Sequence, residues 1–314
     1  MIVGCGLIAG GYGDVNTHAG ALTRRGTRIV ACVEPDDERR TQFMRRWNVA
    51  KGYAGVDAAL ADGCDADIVC VCTPTERHSD DLQALLNNPS KAVFAEKPLA
   101  IGIDSARAIV SAYRAEGRLL AVNYTRRWNP GLRRLAAEIH AGRFGVLEGA
   151  SGWYGKGVVH NGSHMIDLLH LLIGQLDPKS ATLLVDDGRE DDPTVDAVLR
   201  AKNGAYVRLT GTDYRSYDIF ELQLAFSGAL VVLEQGATRL RIRPLEDTPG
   251  FAGHRRPAHG DFEDIGASDV LLRAFDNIAA SVEGREVLAS DGASALAAQE
   301  TAAAMMRMAR PRLI

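Results

Sequence analysis

Over the first 125 positions, short runs of consecutive apolar residues alternate with longer stretches in which apolar residues recur every three or four places. The apolar runs at residues 1–3, 28–33, 66–72, 92–95 and 119–123 predict strands, and the segments near 18–25, 36–47, 78–87 and 104–116 predict helices. Runs such as Ile68-Val69-Cys70-Val71 have no polar face, which is the pattern of strands covered on both sides. Strand–helix alternation of this kind predicts a parallel, doubly wound sheet.

The texture changes after Pro130. A helix near 132–140 leads through a turn at Gly142 and Gly145 to a strand-like run at 146–154. Residues 160–173 read as a helix with apolar Leu168, Leu169, Leu171 and Leu172. Strand-like runs follow at 194–200, 205–210, 219–226, 230–233 and 239–243, some separated by turns such as Asn203-Gly204 and Ser227-Gly228, which predicts an antiparallel meander. The polar stretch 245–267 reads as a surface loop, and Ala-rich helices near 268–283 and 292–309 close the chain. The expected fold class is α/β, with a dinucleotide-type domain at 1–125 and a second domain at 126–314.

A chain of 314 residues is long enough for two cores, and 46% hydrophobic with 24% charged residues places it among soluble globular proteins. A net charge of −4 and a pI near 6.1 give no basic footprint for nucleic acid or an anionic membrane. No run approaches a membrane span, and the N-terminus lacks the basic and apolar regions of a signal peptide, so a cytoplasmic location is expected. The five Cys all lie in the first 72 residues. Cys70 and Cys72 share one face of a strand, too strained a spacing for an ordinary bridge, and the set reads as small buried hydrophobes in a reducing compartment. No Cys/His pairing has zinc spacing, so no metal is expected.

Gly4-Cys5-Gly6-Leu7-Ile8-Ala9 follows the first strand directly and matches G-x-G-x-x-G/A. The first Gly permits a tight turn, the second lets the backbone approach a pyrophosphate, and Leu7 and Ile8 carry the chain toward a helix N-terminus that would face it. Glu34 ends the next strand, where a carboxylate takes both adenosine ribose hydroxyls and repels a 2′-phosphate. NAD is therefore the expected cofactor, with NADP the alternative; Arg39-Arg40 could reach a phosphate but reads as a solvated helix face. Residues 10–16 lengthen the Gly-rich turn and are expected to form a mobile flap.

Glu96-Lys97-Pro98 follows the apolar run at 92–95. A Lys where a strand ends, followed by Pro, has a fixed backbone and a mobile ammonium, and ligands of open α/β sheets sit outside the carboxyl ends of strands. The competing reading is a solvated loop Lys. With Gly4-Cys5-Gly6, Cys72-Thr73-Pro74 followed by His78, Asn123 with Arg127-Trp128-Asn129-Pro130, Gly142-Arg143-Phe144-Gly145 and His164-Met165-Ile166-Asp167, the chain resembles the glucose-fructose oxidoreductase / inositol dehydrogenase / rhizopine-catabolism (Gfo/Idh/MocA) family over nearly its whole length. The resemblance implies a Rossmann domain followed by an α/β domain with a large, open, mostly antiparallel sheet that commonly joins subunits, hence a homodimer or homotetramer. It implies hydride transfer between nicotinamide and a sugar or cyclitol carbon. By position, it puts Thr73, Pro74 and His78 on the nicotinamide side, counts Glu96 and Asn123 with the cofactor contacts, brings Lys97 to the reacting hydroxyl, and gives Arg127 and Trp128 to substrate or the domain junction.

Oxidising a secondary alcohol needs a base for the hydroxyl proton. His164 suits that role near a helix start, where the positive dipole end disfavours imidazolium. Asp167 lies three residues on, roughly on the same helical face, and could orient His164 or take a substrate hydroxyl; otherwise it is a dipole partner. Lys97 would stabilise the developing alkoxide. The chain departs from the family where Asp is common four residues before the catalytic His: His160 stands there. His160 could donate to a substrate phosphate or carbonyl. With His164 and Asp167 it also has the spacing of a metal set, which nicotinamide chemistry does not need. The sequence thus points to an NAD(P)-dependent dehydrogenase or reductase acting on CH–OH of a sugar, cyclitol or nucleotide sugar. Its alternatives are a non-catalytic sugar or dinucleotide sensor and a glycoside-cleaving enzyme that uses NAD transiently. Trp153, Tyr154 and Tyr217 could stack on a sugar ring, or belong to core or interface.

Overall fold

The computed structural model describes residues 1–11 and 16–309, so most of the expected flap, residues 12–15, lies outside the described residues. The chain divides into two compact units. One comprises Met1–Trp128 and Ser268–Leu296; the other comprises Asn129–Ala267 and the chain from Ala297 onward. The expected division near residue 125 assigned everything after it to the second domain, whereas residues 268–296 return to the first.

The first unit holds a six-stranded parallel sheet of order β3-β2-β1-β4-β5-β6, from β1 (Ile2–Val3), β2 (Ala31–Val33), β3 (Lys51–Tyr53), β4 (Ile68–Val71), β5 (Ala92–Ala95) and β6 (Leu119–Val122). Helices α1 (His18–Arg24), α2 (Asp37–Trp47), α3 (Val56–Ala61), α4 (Thr75–Ala84) and α5 (Ile103–Ala115) connect them. Register aligns Cys32, Ile2, Cys70, Phe94 and Ala121 in one row across the sheet, each at most 1% exposed. That row explains why these strands carry no polar face. All five Cys are free and buried. Helix α2 starts where the Asp36 carboxylate accepts the Arg39 N–H at 2.8 Å and stops where Asn48 takes φ 52°. Helix α8 (Val270–Val282) packs in the same core, with Leu271, Ala274, Phe275 and Ile278 buried beside Phe94 and Trp128.

The second unit carries a nine-stranded sheet. Its path is β14-β13-β12-β11-β7-β10-β9-β8, with β15 paired to β13. The strands are β7 (Leu147–Gly155), β8 (Asp177–Thr182), β9 (Asp196–Arg200), β10 (Tyr206–Thr212), β11 (Phe220–Phe226), β12 (Ala229–Glu234), β13 (Arg239–Asp247), β14 (Arg255–Pro257) and β15 (Glu263–Asp264). Every pairing is antiparallel except β7 with β10. Along β10 exposed and buried residues alternate, so one sheet face is covered and the other is open. Helix α6 (Pro130–His140) buries Leu132 and Leu135, α7 (Ser163–Ile173) buries Met165, Leu168 and Leu169, and the two helices pack together. The last helix, α9, spans Gly292–Ala309. Edge strand β8, with the sequence Asp-Pro-Lys-Ser-Ala-Thr, has no apolar pattern and was not expected; nor were β3 and α3, or β14 and β15 within the polar stretch. No helix among the described residues is long and apolar enough to cross a membrane.

Candidate active site

The strand order of the first sheet reverses direction between β1 and β4, and the crevice outside the carboxyl ends of strands at such a point is where open α/β sheets bind ligands. Four expected segments come off those ends: Gly4-Cys5-Gly6 after β1, Thr73-Pro74 after β4, Glu96-Lys97-Pro98 after β5 and Asn123 after β6. Gly4 has φ 85°, and a Cβ there would lie 2.7 Å from the Thr73 nitrogen and 2.8 Å from the Cys72 carbonyl oxygen. The turn can therefore lie against β4 only as glycine. A Cβ on Gly6 would meet no heavy atom within 4 Å, so main chain there lies open to a ligand. Leu7 is 57% exposed on the π-helical turn Leu7–Gly11, while Ile8 packs against the core.

Glu34 is buried at the end of β2, with Oε2 accepting the Cys5 N–H at 3.0 Å and Oε1 accepting the Asp36 N–H at 3.2 Å. Arg39 and Arg40 do not simply face solvent. An Arg39 guanidinium nitrogen lies 3.5 Å from Glu34 Oε1, and Arg40 donates to the Glu34 main-chain carbonyl at 2.6 Å while pairing with Asp37.

Lys97 sits between two anchored neighbours. Glu96 Oε1 lies 2.9 Å from His18 Nε2 and accepts from Asn123 Nδ2 at 2.6 Å. Burial opposes ionisation of Glu96, but His18, Asn123 and the Lys97 charge outweigh it and hold its carboxyl below the usual range. Burial likewise opposes a proton on His18. Cys72, Cys70 and Glu96 around it raise its affinity for one well above the ordinary imidazole value. Burial pushes the Cys72 thiol up to about 11, so at neutral pH the anion that favours imidazolium is Glu96. On the far side of Lys97, whose bond to Pro98 is cis, the Pro98 carbonyl lies 2.6 Å from His78 Nδ1; His78 Nε2 lies 2.9 Å from the Thr73 carbonyl. His78 is 1% exposed, with both ring nitrogens committed to main chain. It ties two turns together rather than presenting an edge to a cofactor. Thr73 donates to Asp81 at 2.8 Å.

Trp128 is corrected as a substrate contact. Its ring is 2% exposed, edge-on to Phe94 at 5.5 Å, and its N–H donates to Asn277 at 3.1 Å. The size of its apolar surface draws it into the core of the first unit. Neighbouring Arg127 is half-buried in the Thr125–Trp128 turn.

In the second unit, a π-helical turn, Val158–Gly162, precedes α7 and carries exposed His160. Half-buried His164 lies in the first turn of α7, and Asp167 is 1% exposed. The segment is fixed from several sides. Asp192 accepts the main-chain N–H of Val159 at 2.7 Å and of His160 at 2.9 Å, and Gly157 donates to Thr194 Oγ1 at 2.8 Å. Gly157 has φ 84°, and a Cβ there would lie 2.2 Å from Asp192 Oδ2. Gly162 leaves room for the ring of Tyr154, which is fully buried in the core. Asp192 lies 32 residues beyond His160 in a polar loop, and nothing local in the sequence marks the pairing. Asp192→Ala strips a carboxylate from two main-chain donors and is expected to cost about 2 kcal/mol, read as a fall in unfolding free energy. An unchanged value would mean the turn holds itself. No group of three or more His, Cys, Asp or Glu among the described residues could hold a metal ion.

Comparison with known proteins gives four findings. Residues 1–124 match the model of an oxidoreductase family with an NAD-binding Rossmann fold. An inositol 2-dehydrogenase of Rhizobium meliloti (strain 1021) is 24% identical over 98% of this chain and 97% of its own length. A myo-inositol dehydrogenase of Streptomyces leeuwenhoekii is 31% identical, but the match spans only 47% of this chain and 42% of that one. Among solved structures, the WlbA dehydrogenase of Bordetella pertussis, in complex with NADH and UDP-GlcNAcA, superposes with a TM-score of 0.83 at 19% identity, over 98% of this chain and 94% of that one. That likeness shows a shared fold.

Proposed function

We propose that the chain is an NAD-dependent dehydrogenase or reductase of Gfo/Idh/MocA type; the match of residues 1–124 to an oxidoreductase family with an NAD-binding Rossmann fold and the full-length likeness to an inositol 2-dehydrogenase support this reading. In this reading it moves hydride between nicotinamide and a CH–OH or keto carbon of a sugar, cyclitol or nucleotide sugar. The observation that carries it is the convergence of Gly4, Gly6, Thr73, Lys97 and Asn123 at the carboxyl ends of β1, β4, β5 and β6. The residues fit the cofactor. Gly6 leaves main chain open, Glu34 is held where ribose hydroxyls would meet it, and buried Asn123 Oδ1 has no hydrogen-bond partner among the described residues.

When bound, the nicotinamide supplies the hydride acceptor or donor. The chain's own residues handle the proton. His164 is read as the base that takes it at an imidazole nitrogen, and Lys97 as an ammonium suited to stabilising the negative charge of an alkoxide. For reduction the roles reverse. Asp167 orients His164 or takes a second hydroxyl, and His160 could donate to a polar group of the substrate. A titration calorimetry experiment with NAD(H) and NADP(H) tests the cofactor. A screen of sugars, cyclitols and nucleotide sugars with NAD+, followed by absorbance of the reduced cofactor, then tests the reaction. Absence of binding to either dinucleotide would sink the reading.

NAD preference rests on Glu34. Glu34→Ser is expected to lower the ratio of kcat/KM for NAD+ to that for NADP+ by roughly tenfold or more, because the repulsive carboxylate goes and Arg39 beside it stays. An unchanged ratio would assign cofactor choice elsewhere. We also read the protein as cytoplasmic and as a homodimer or homotetramer joined through the open face of the C-terminal sheet, where Tyr206 is 46% exposed; sedimentation tests the assembly.

A further inference from the structure

Two stretches of the second unit, residues 157–160 and 192–194, fit each other donor for acceptor. Gly157 donates to Thr194 Oγ1 at 2.8 Å, Val158 to the Pro193 carbonyl at 3.2 Å, Val159 to Asp192 Oδ1 at 2.7 Å and His160 to Asp192 Oδ2 at 2.9 Å. These N–H groups open the helical run that continues into α7, and the first donors of a helix have no partner within it. A strap more than thirty residues away caps all four.

The acceptors are held in turn. Asp187, 3% exposed, accepts the Thr194 hydroxyl at 2.6 Å, and Arg189 Nε donates to the Asp192 carbonyl at 3.3 Å. Buried Tyr154 of β7 donates its hydroxyl to the Val195 carbonyl at 2.7 Å and accepts the Val195 N–H at 3.2 Å. The ring of the same Tyr154 fills the space beside Gly162, where a Cβ would lie 2.7 Å from it. Strap, strand and turn therefore form one closed circuit.

That circuit fixes the register of α7. The turn closes with the Gly162 N–H donating to the Gly157 carbonyl at 2.9 Å, one residue farther back than in an α-helical turn. One residue more or less in the turn swings every later side chain by about 100° around the helix axis. His164 is the second residue of α7, so its direction is decided there.

We propose that Asp192 and Thr194 are positioning residues for His164: by taking up the first donors of the helical run they hold the turn in its five-residue form and so set where the imidazole is presented. Its value to catalysis rests on the function proposed above for His164. The capping itself does not.

The test compares Asp192→Ala with the unsubstituted full chain by NMR and by kinetics. Amide hydrogen exchange at Val159 and His160 is expected to speed up by roughly tenfold or more, while amides of β10 keep their rates. The imidazole carbon and nitrogen shifts of His164 are expected to move, and those of exposed His259 to stay. On a polyol returned by the NAD+ screen, kcat is expected to fall roughly tenfold or more, with KM for NAD+ changed by less than about twofold. Unchanged exchange at Val159 and His160 overturns the proposal, as do unchanged His164 shifts. So does a kcat that survives while the amides open, because the strap is then a structural staple only. If Asp192→Ala does not fold, Thr194 supplies the second arm. Thr194→Val removes the acceptor for Gly157 and is expected to move the His164 shifts and lower kcat; Thr194→Ser, which keeps the hydroxyl, is expected to restore both. A Thr194→Val protein with unsubstituted shifts and kcat overturns the proposal, as does a Thr194→Ser protein no better than Thr194→Val. If nothing turns over with the unsubstituted protein, the function proposed for His164 fails, and the exchange rates and ring shifts still decide whether the strap places the ring.

Discussion

Lys97→Ala is expected to lower kcat by roughly 10³-fold on whichever polyol the NAD+ screen returns, while NAD+ affinity stays within about threefold. The asymmetry follows from position. The backbone at Lys97 is set by its neighbours, with Glu96 engaged by His18 and Asn123 and the Pro98 carbonyl engaged by His78. The substitution removes the ammonium with its methylene stem and keeps these main-chain and Glu96 contacts. An ammonium that stabilises an alkoxide acts most strongly in the transition state, so the loss belongs in kcat more than in KM. His164→Ala is expected to act in the same sense. Turnover that survives both substitutions would mean that other groups move the proton.

The second large effect separates two glycines only two positions apart. Gly4→Ala is expected to destabilise the protein by about 2–4 kcal/mol, seen as a lower denaturant midpoint, and to abolish NAD+ binding. Its φ of 85° strains any side chain, and the atoms that a Cβ would strike are main chain of Cys72 and Thr73, which cannot swing aside. Gly6→Ala is expected to leave the midpoint unchanged yet to weaken NAD+ binding at least tenfold, because its Cβ meets nothing within 4 Å of protein and would stand where a pyrophosphate approaches. The glycine pattern gives both residues one role; the structure gives them two. If Gly6→Ala bound NAD+ normally, the turn would not be the pyrophosphate cradle.

The central strands were legible because each lies covered on both faces, so its residues carry the full burial signal: Ile68-Val69-Cys70-Val71 and Ala92-Val93-Phe94-Ala95 stand out without reference to anything else. Edge strands β3 and β8 did not stand out. Their pairing is satisfied on one side only, and Lys51-Gly52-Tyr53 and Asp-Pro-Lys-Ser-Ala-Thr bury little. Candidate chemistry was legible where a motif has a local reason, such as a glycine turn after a strand or a Lys at a strand end. It was not legible where partners meet only in three dimensions. His18 reads as one polar residue at a helix start, and its partner Glu96 is 78 positions away; Asp192 reads as one of several acids in a polar loop. Trp128 shows the opposite error. It lies next to residues expected at a site, and its neighbours in sequence said nothing of its place in the core.

The return of α8 to the first unit governs how the gene can be dissected. Asn277 accepts from the Trp128 indole and from the Ala289 N–H, and donates to the Val287 carbonyl, while Phe275 closes the aromatic cluster over Phe94. A fragment ending at residue 128 would leave that cluster uncovered and the Trp128 N–H without its acceptor. An autonomous nucleotide-binding module therefore cannot be excised by truncation. It would need a spliced coding sequence in which residues 268–296 follow Trp128 through a new linker.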